Sequence, residues 1–570
     1  MSDTDINTWQ WRLFSAPEIP EGAGGRIGAD VLPLPDGREV QGREFAFPPS
    51  GIADLNRIAD EPLPPRSRVV LTADFTAERK EKFVLGCGAD WWFTLYFNGE
   101  AVYSTSERGN IECRIRPGNH FVVLECRAGS NRLVCEVAGG DENRIFAAQI
   151  LPYVPLGLTC EPWAHFPDAE TGAMTVTFVT NRPAPAGIDL RLAGEEAWQR
   201  HYDTVGGQIR RDRTIHHVRL TGLRSDCRYE YRVVLADEYD RLTETALPEV
   251  HGFCTAPEGG RPFSFVATSD VQLPHAERKD WLERFFRTPS AQAADFFAFL
   301  GDVNWVTDFE KDYLDELVVP VAAAAENRKP LLFLRGNHEM YGRAANRFFD
   351  YFAAPAPGRE GYGMFRWGDV CFFHLDFGDD FPRQEFPYAR ALNDVDPYLD
   401  AEAEWLKRAV DDSRCRTAKY RVVLAHGVPI GDLNLYMPGN IRRVIDPVFG
   451  GRSPRCRIHL WLGGHVHYPL RSQPLRNAWR SYHDLRRVFP ERPAPRDGSG
   501  YAFPVVVLSG PRRQNPPELQ VSGAHVSVSD AGIDVRCCDR KGVPYDHIRI
   551  AVDGSVTELE RAGWFEEYEY

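Results

Sequence analysis

At 570 residues the chain exceeds what one hydrophobic core can organise, so about three domains are expected. Its 43% hydrophobic and 26% charged residues are those of a globular protein, and a net charge of −14 argues against general affinity for nucleic acid or anionic membrane. No apolar run approaches the roughly 20 residues that span a bilayer, so neither a nucleic-acid nor a membrane partner is expected.

The start, Met1-Ser2-Asp3-Thr4-Asp5, lacks an apolar signal core. It reads as cytoplasmic, or as secreted or periplasmic if a leader has been trimmed. Residues 1–65 are rich in proline and glycine without periodicity and are expected to wrap the next domain. From Arg68 to Gly140 short alternating strands dominate. The run Trp91–Phe97 meets Asn98-Gly99 and continues as Glu100-Ala101-Val102-Tyr103, a two-residue hairpin signal. Residues 1–150 resemble the galactose-binding-like β-sandwich that accompanies many glycan-active enzymes. That resemblance implies a glycan contact, through Trp91 and Trp92, although half-core, half-surface packing is the more ordinary use of such residues.

A second all-β unit, 151–258, carries strand candidates Met174–Thr180, Gly187–Leu192, His216–Leu220 and Tyr229–Leu235. Its Leu220-Thr221-Gly222-Leu223 and Tyr229-Glu230-Tyr231-Arg232-Val233 resemble a fibronectin type III domain. His216 and His217 have no ligand spacing around them and read as structural. After the linker Thr255–Pro262 the pattern becomes strand, helix, strand over 259–570, with helices Ala276–Phe286, Asp308–Ala324 and Ala401–Val410, which marks a layered α/β domain. Four strands from Pro504 onward are expected to complete its second sheet. The twelve cysteines are scattered, form no C-x-x-C pair and read as small buried hydrophobes.

Five apolar runs in this last region end abruptly on polar residues. Phe263–Thr268 leads to Ser269-Asp270-Val271-Gln272, and Phe296–Leu300 to Gly301-Asp302-Val303-Asn304. Pro330–Leu334 leads to Arg335-Gly336-Asn337-His338-Glu339, Tyr420–Leu424 to Ala425-His426, and Ile458–Leu462 to Gly463-Gly464-His465-Val466-His467. Buried strands ending so deliver side chains to one sheet edge. This ordered set resembles the calcineurin-like metallophosphoesterases. The β domains ahead of it resemble the layout of purple acid phosphatases, in which a fibronectin type III-like domain precedes the catalytic one.

The resemblance implies a fold of two all-β sandwich domains followed by a β-sandwich flanked by helices. It also implies two divalent ions (Mn, Zn or Fe), a small phosphorylated substrate, and hydrolysis of phosphate esters by a metal-activated hydroxide. By the same resemblance Asp302 bridges the ions, Asp270 and His467 bind the first, and Asn337, His426 and His465 bind the second. His338 contacts the phosphate or protonates the leaving group, with Arg335 and Glu339 either orienting it or binding the phosphate, or forming a plain ion pair. Two positions depart from the family. Gln272 stands where the Asp-x-His motif has histidine, and its amide oxygen is the expected substitute ligand. Trp305 stands three residues after Asp302, where purple acid phosphatases have a ligating tyrosine, so a non-purple centre is expected. His275 and His374 read as structural.

Arg471, Arg476, Arg480, Arg486, Arg487, Arg492 and Arg496 crowd the stretch after His467, and Arg512 and Arg513 follow the next strand. They read either as a solvated loop or as an anion-guiding wall in which Arg486 and Arg487 bind substrate. The favoured activity is phosphomonoester hydrolysis. The alternatives are a phosphodiesterase or pyrophosphatase acting on nucleotide or lipid head groups, and a glycan- or surface-binding protein with an inactive phosphoesterase domain.

Overall fold

The structure is a computed structural model, and it describes residues 6–28, 30–59, 63–109, 114–141, 143–165, 172–324, 328–352, 361–379, 394–429, 437–476, 478–488 and 501–569. Contacts divide the chain into two compact units, residues 1–156 with 235–245, and residues 157–234 with 246–570.

The first unit is a β-sandwich. Among the described residues one sheet has six strands and the facing sheet four, all antiparallel. Its core is aromatic, with Trp9 stacked on Phe75 at 4.1 Å and Trp11 tilted against Phe47 at 4.6 Å. The N-terminal stretch does more than wrap this domain. Gln10–Ser15 is an internal strand, paired on one side with Arg43–Phe45 and on the other with Arg68–Ala77. Its brevity and its arginine hide an alternation in which Trp11 and Leu13 face inward. Asn98 and Gly99 take φ of 51° and 91°, and Phe97 pairs with Glu100, the two-residue turn that needs positive φ at both centres. The Trp91 ring lies where any β-carbon on Gly140 would stand, so it is packed against backbone although 41% exposed.

In the second unit a ten-stranded sheet runs from Ile215–Leu220 to Val556–Arg561. Its first three strands belong to the β region before the linker. They join the α/β part where Leu158–His165 runs parallel to Leu331–Phe333, with His165 opposite Leu331. Phe296–Phe299 and Phe263–Thr268 follow, both parallel, and then the antiparallel closing strands. An eight-stranded sheet includes Val370–Leu375, Tyr420–Ala425, Leu460–Gly463 and Val505–Val507 in parallel order. Phe265, Phe296, Phe365 and Phe372 fill the space between the sheets; Phe265 stacks on Phe296 at 4.8 Å and meets Phe372 edge-on at 5.6 Å.

Helices cover the other faces. His275–Phe286 buries Trp281, Leu282, Phe285 and Phe286 against the ten-stranded sheet. Val395–Ala409 buries Leu399, Ala403 and Leu406, and Met437–Phe449 buries Ile441, Val444, Ile445 and Val448, the spacing of one helical face. The helix expected over Asp308–Ala324 forms only from Glu310. It passes through a wider π turn at Leu314–Val318, just before Pro320, whose ring and missing N–H cannot continue an α-helical ladder. Among the described residues no helix is long and apolar enough to cross a membrane.

Candidate metal centre

The five strand ends come together at one edge. Asp270, Asp302, Asn337, His426, His465 and His467 are all buried there. Of eleven non-glycine residues with positive φ among the described residues, four are Asp270, Asp302, His465 and His467, at 53°, 56°, 69° and 67°. This is costly backbone for ordinary L-residues, and it persists only where the surroundings over-determine it. The glycines in the motifs explain how the turns pack. A β-carbon on Gly336 would stand 2.2 Å from Asp302 Oδ1, and one on Gly464 would stand 2.0 Å from Asp270 Oδ2.

Two groups of donor atoms share Asp302. In each, Asp302 with His426 and His465, and Asp302 with Asp270 and His467, the ligand atoms lie within 4.8 Å of one another. In the first group Asp302 Oδ2 is 3.1 Å from His426 Nε2. Asn337 Oδ1 lies 3.2 Å from His426 Nε2 and 2.9 Å from His465 Nδ1. His426 Nδ1 donates to the Leu300 carbonyl at 2.8 Å, which turns the lone pair of Nε2 toward the cluster. Tyr341 fixes the amide of Asn337: Asn337 Nδ2 donates to its hydroxyl at 3.1 Å, and that hydroxyl donates to Asp379 at 2.8 Å. Oxygen therefore faces the histidines.

In the second group His467 Nδ1 donates to the Pro511 carbonyl at 3.0 Å, leaving Nε2 3.2 Å from Asp270 Oδ1. Gln272 lies alongside, with Nε2 3.2 Å from the Asn304 carbonyl and 3.4 Å from Asp302 Oδ2, while its Oε1 is buried without a hydrogen-bond partner. Carboxylate, amide and imidazole acceptors crowded together with an orphaned amide oxygen fit divalent cations, which need such lone pairs.

Titration follows from this crowding. Burial pushes Asp270 up to about 7, with neighbouring Asp302 adding to the rise. Asp302 is held below the usual carboxylate range because His426 outweighs its burial. Burial opposes charge on His426, but Asp302 and Asp270 raise it to about 10. Burial, with Arg512 assisting, brings His467 down to about 3.

Sequence reasoning left Glu339 as an orienting group or an ion pair, and its use is different. The buried carboxylate accepts the backbone N–H groups of Asp302, Val303 and Gly336 at 2.8, 2.9 and 2.8 Å. It thus ties the Gly301-Asp302 turn to the Gly336-Asn337 turn. The signal was a glutamate directly after Gly-Asn-His. Glu339→Gln would set an amide N–H against backbone N–H groups, at a cost of about 1–3 kcal/mol. Reduced metal content and a lower kcat, with the substrate KM nearly unchanged, are expected and can be read by metal analysis and steady-state kinetics.

The arginines divide. Arg335, predicted to bind substrate, pairs with buried Asp376 at 2.8 Å, and its guanidinium lies over the rings of Phe349 and Tyr398. Arg486 pairs with Asp484 at 2.9 Å and also donates to the Glu569 carbonyl, while Arg487 stands 3.7 Å from the same aspartate. Arg471 is buried and bidentate to Asp546, with Glu558 beside it. Arg476 and Arg480 meet Glu567, Glu569 and Glu558. Arg471, Arg476 and Arg480 therefore form a ladder of ion pairs with the C-terminal strands, while Arg486 and Arg487 share the nearby Asp484. Arg492 and Arg496 lie outside the described residues. Arg512, one residue beyond the carbonyl that holds His467, is exposed, and among the described residues no carboxylate pairs with it.

His217 bridges Thr177 and the Asp350 carbonyl, both at 2.8 Å, and His374 meets the Gly361 carbonyl at 3.1 Å.

The calcineurin-like phosphoesterase family model matches residues 263–469, which span all five strand ends. No curated protein matches the chain. Among solved structures, a purple acid phosphatase from yellow lupin (Lupinus luteus) seeds is similar at 12% identity and a TM-score of 0.46, over 84% of this chain and 92% of that one. The inner membrane complex anchor protein of Plasmodium is similar at 9% identity and a TM-score of 0.30, over 53% and 89%. A β-glucuronidase of Ruminococcus gnavus is similar at 10% identity and a TM-score of 0.19, over 78% and 87%. These structural likenesses are loose, and the family assignment rests on the sequence match. The chain carries a calcineurin-like phosphoesterase domain at residues 263–469, and with it the metal-dependent hydrolysis of phosphate esters.

Proposed function

We propose that the centre hydrolyses phosphomonoesters with two divalent cations, Mn, Zn or Fe, for which Asp302 would be a common ligand. The observation that carries this reading is the sharing of Asp302 by two donor groups within a domain of this family. Asp270, His467 and Gln272 would hold one cation, and Asn337, His426 and His465 the other. When bound, such a pair lowers the pKa of a water and offsets the charge of the phosphate.

The chain's own residues supply the proton and the selectivity. His338 Nδ1 donates to the Trp305 carbonyl at 2.8 Å, which leaves Nε2 facing the cluster, 4.0 Å from Asp302 Oδ2. From there Nε2 can give a proton to the departing alcohol oxygen. Trp305 itself donates from Nε1 to the Gln272 carbonyl at 2.8 Å. Its ring, 47% exposed, stands perpendicular to His338 at 5.1 Å and offers an apolar face for the leaving group. Replacing His338 with alanine should cost ~10²–10⁴ in kcat, the usual range for acid–base assistance. The loss should be larger for an alkyl phosphate than for 4-nitrophenyl phosphate, whose leaving group needs no proton. Equal losses would remove the general-acid role.

Arg512 favours monoesters, because a second negative charge on the substrate gains most from an unpaired cation near the centre. Kinetics with 4-nitrophenyl phosphate and bis(4-nitrophenyl) phosphate test this. Arg512→Ala should lower kcat/KM for the monoester by roughly fivefold, an exposed-charge effect that salt erodes, and leave the diester nearly unchanged. A specific observation supports a second reading: Phe309, 65% exposed a few residues after Trp305, adds apolar surface that a nucleotide or lipid diester could use. A wild-type preference for the diester would select that reading.

A further inference from the structure

On the outer face of the ten-stranded sheet, beside the helix His275–Phe286, lies a groove of about 520 Å³ that the chemistry above does not use. Its floor comes from three neighbouring strands. In Gly523–Ser529 and Gly532–Cys538 the residues alternate, with Ala524, Val526, Ile533 and Val535 turned to the core and His525, Ser527, Asp534 and Arg536 turned outward. Register places His525 directly opposite Arg536, and Arg536 directly opposite His547 of Pro544–Ile550. Three nitrogen-bearing side chains thus stand in one row across three strands, all lining the groove.

The charges around this row are unevenly matched. Arg284, Arg540 and Lys541 also line the groove, but each has a carboxylate partner, in Asp280, Glu277 and Glu518. Asp534, the carboxylate of the lining, is held bidentately by Arg549 at 2.8 and 2.9 Å and stands 3.9 Å from His547. Glu560 lies across from His547 on its far side. Arg536 is exposed, and among the described residues no carboxylate pairs with it. Beside it, His525 keeps Nδ1 buried without a hydrogen-bond partner, a donor or acceptor that is expensive to leave unmade. His525 also packs 5.5 Å from Phe285, whose ring stacks on Trp281 at 4.8 Å. A row of donors with one unmatched guanidinium, set against an aromatic wall, is the composition of an oxyanion site, with an apolar flank for the body that carries the anion.

We propose that this groove is a second, non-catalytic site that binds a small organic phosphate, its oxygens spread over His525, Arg536 and His547. A tetrahedral head with three outer oxygens suits three donors on three strands, whereas a carboxylate would serve two. The volume exceeds what orthophosphate fills, so the occupant carries a ring-sized body.

Phenylphosphonate, whose C–P bond the enzyme cannot hydrolyse, is the probe, titrated calorimetrically into metal-loaded enzyme with benzoate and inorganic phosphate as comparisons. Wild type should bind two equivalents of phenylphosphonate, one at the metal centre and one here. Arg536→Gln should lose one equivalent while hydrolysing 4-nitrophenyl phosphate at the wild-type rate. Ser527→Asp, which places a negative charge at an exposed position of the groove, should lose the same equivalent without touching the row. Asp302→Asn should lose the other equivalent, so failure of this site is distinguishable from failure of the catalytic assignment. At the groove, phenylphosphonate should bind more tightly than either comparison. A single wild-type equivalent, two equivalents retained in both groove variants, or a groove preference for benzoate would overturn the proposal.

Discussion

Asp302→Asn is expected to empty most of the metal centre and to lower kcat by on the order of 10³ or more. The substitution is nearly isosteric, so the fold has little reason to fail. An asparagine oxygen can still accept the His338 backbone N–H, which now reaches Asp302 Oδ1 at 3.0 Å. Asparagine also tolerates the left-handed backbone, φ 56°, that this position adopts. What is lost is the one negative charge common to both donor groups. Without it the first group keeps neutral imidazole and amide donors, and the second keeps a single carboxylate, Asp270. Elemental analysis of purified protein gives the metal content and stopped assays give the rate. Full metal occupancy with unchanged turnover would show that Asp302 is not shared.

The second large effect concerns stability. Arg471, on a strand of the eight-stranded sheet, meets Asp546, on a strand of the ten-stranded sheet, at 2.7 and 3.1 Å, and both are buried. Arg471→Ala would leave the Asp546 carboxylate desolvated between the sheets, and breaking such a pair on one side costs ~3–5 kcal/mol. The sign of the compensating change is also defined. Burial already raises Asp546, and Arg471 opposes that rise. Removing the arginine lets the carboxyl move further up, so the variant loses least stability in acid and most at neutral pH. Urea unfolding at two pH values checks both statements. Restoring an apolar pair, Arg471→Met with Asp546→Leu, should recover most of the loss, since two well-packed hydrophobes can replace a buried pair. A single variant as stable as wild type would mean that water or Arg480 rescues the site.

These two residues also show what the sequence can and cannot reveal. The centre was legible because each ligand follows a short apolar strand, and at three of the five strand ends, before Asp302, Asn337 and His465, a glycine precedes the ligand. That local arrangement leaves its mark within a few residues, as at Gly464-His465-Val466-His467. Arg471 looked like one of a run of surface arginines because its partners, Asp546 and Glu558, lie 75 and 87 residues further on. No local pattern announces a pairing that only the stacking of two sheets creates. Glu339 was ambiguous for a related reason. Its three partners are backbone N–H groups, which carry no residue identity to match against. Arg512 was visible as a residue, but that no carboxylate among the described residues pairs with it is a property of the folded chain alone. The strand Gln10–Ser15 was missed inside a stretch dominated by proline and glycine, because six residues give too short an alternation to stand out.

The joining of Leu158–His165 to Leu331–Phe333 bears on how substrates reach the centre. Trp163 of the first strand is fully buried and shares a core with Trp281, Phe299 and Phe333, and its ring lies 5.7 Å from that of Phe352. A preceding β domain that swung aside to admit substrate would have to part a hydrogen-bonded sheet and draw a tryptophan out of the catalytic core. Hinged gating needs an interface that slides or a linker that bends, and this junction offers neither. Entry and selection therefore fall to the loops at the strand ends, above all the one carrying Trp305, whose ring is 47% exposed while its Nε1 stays tied to the Gln272 carbonyl.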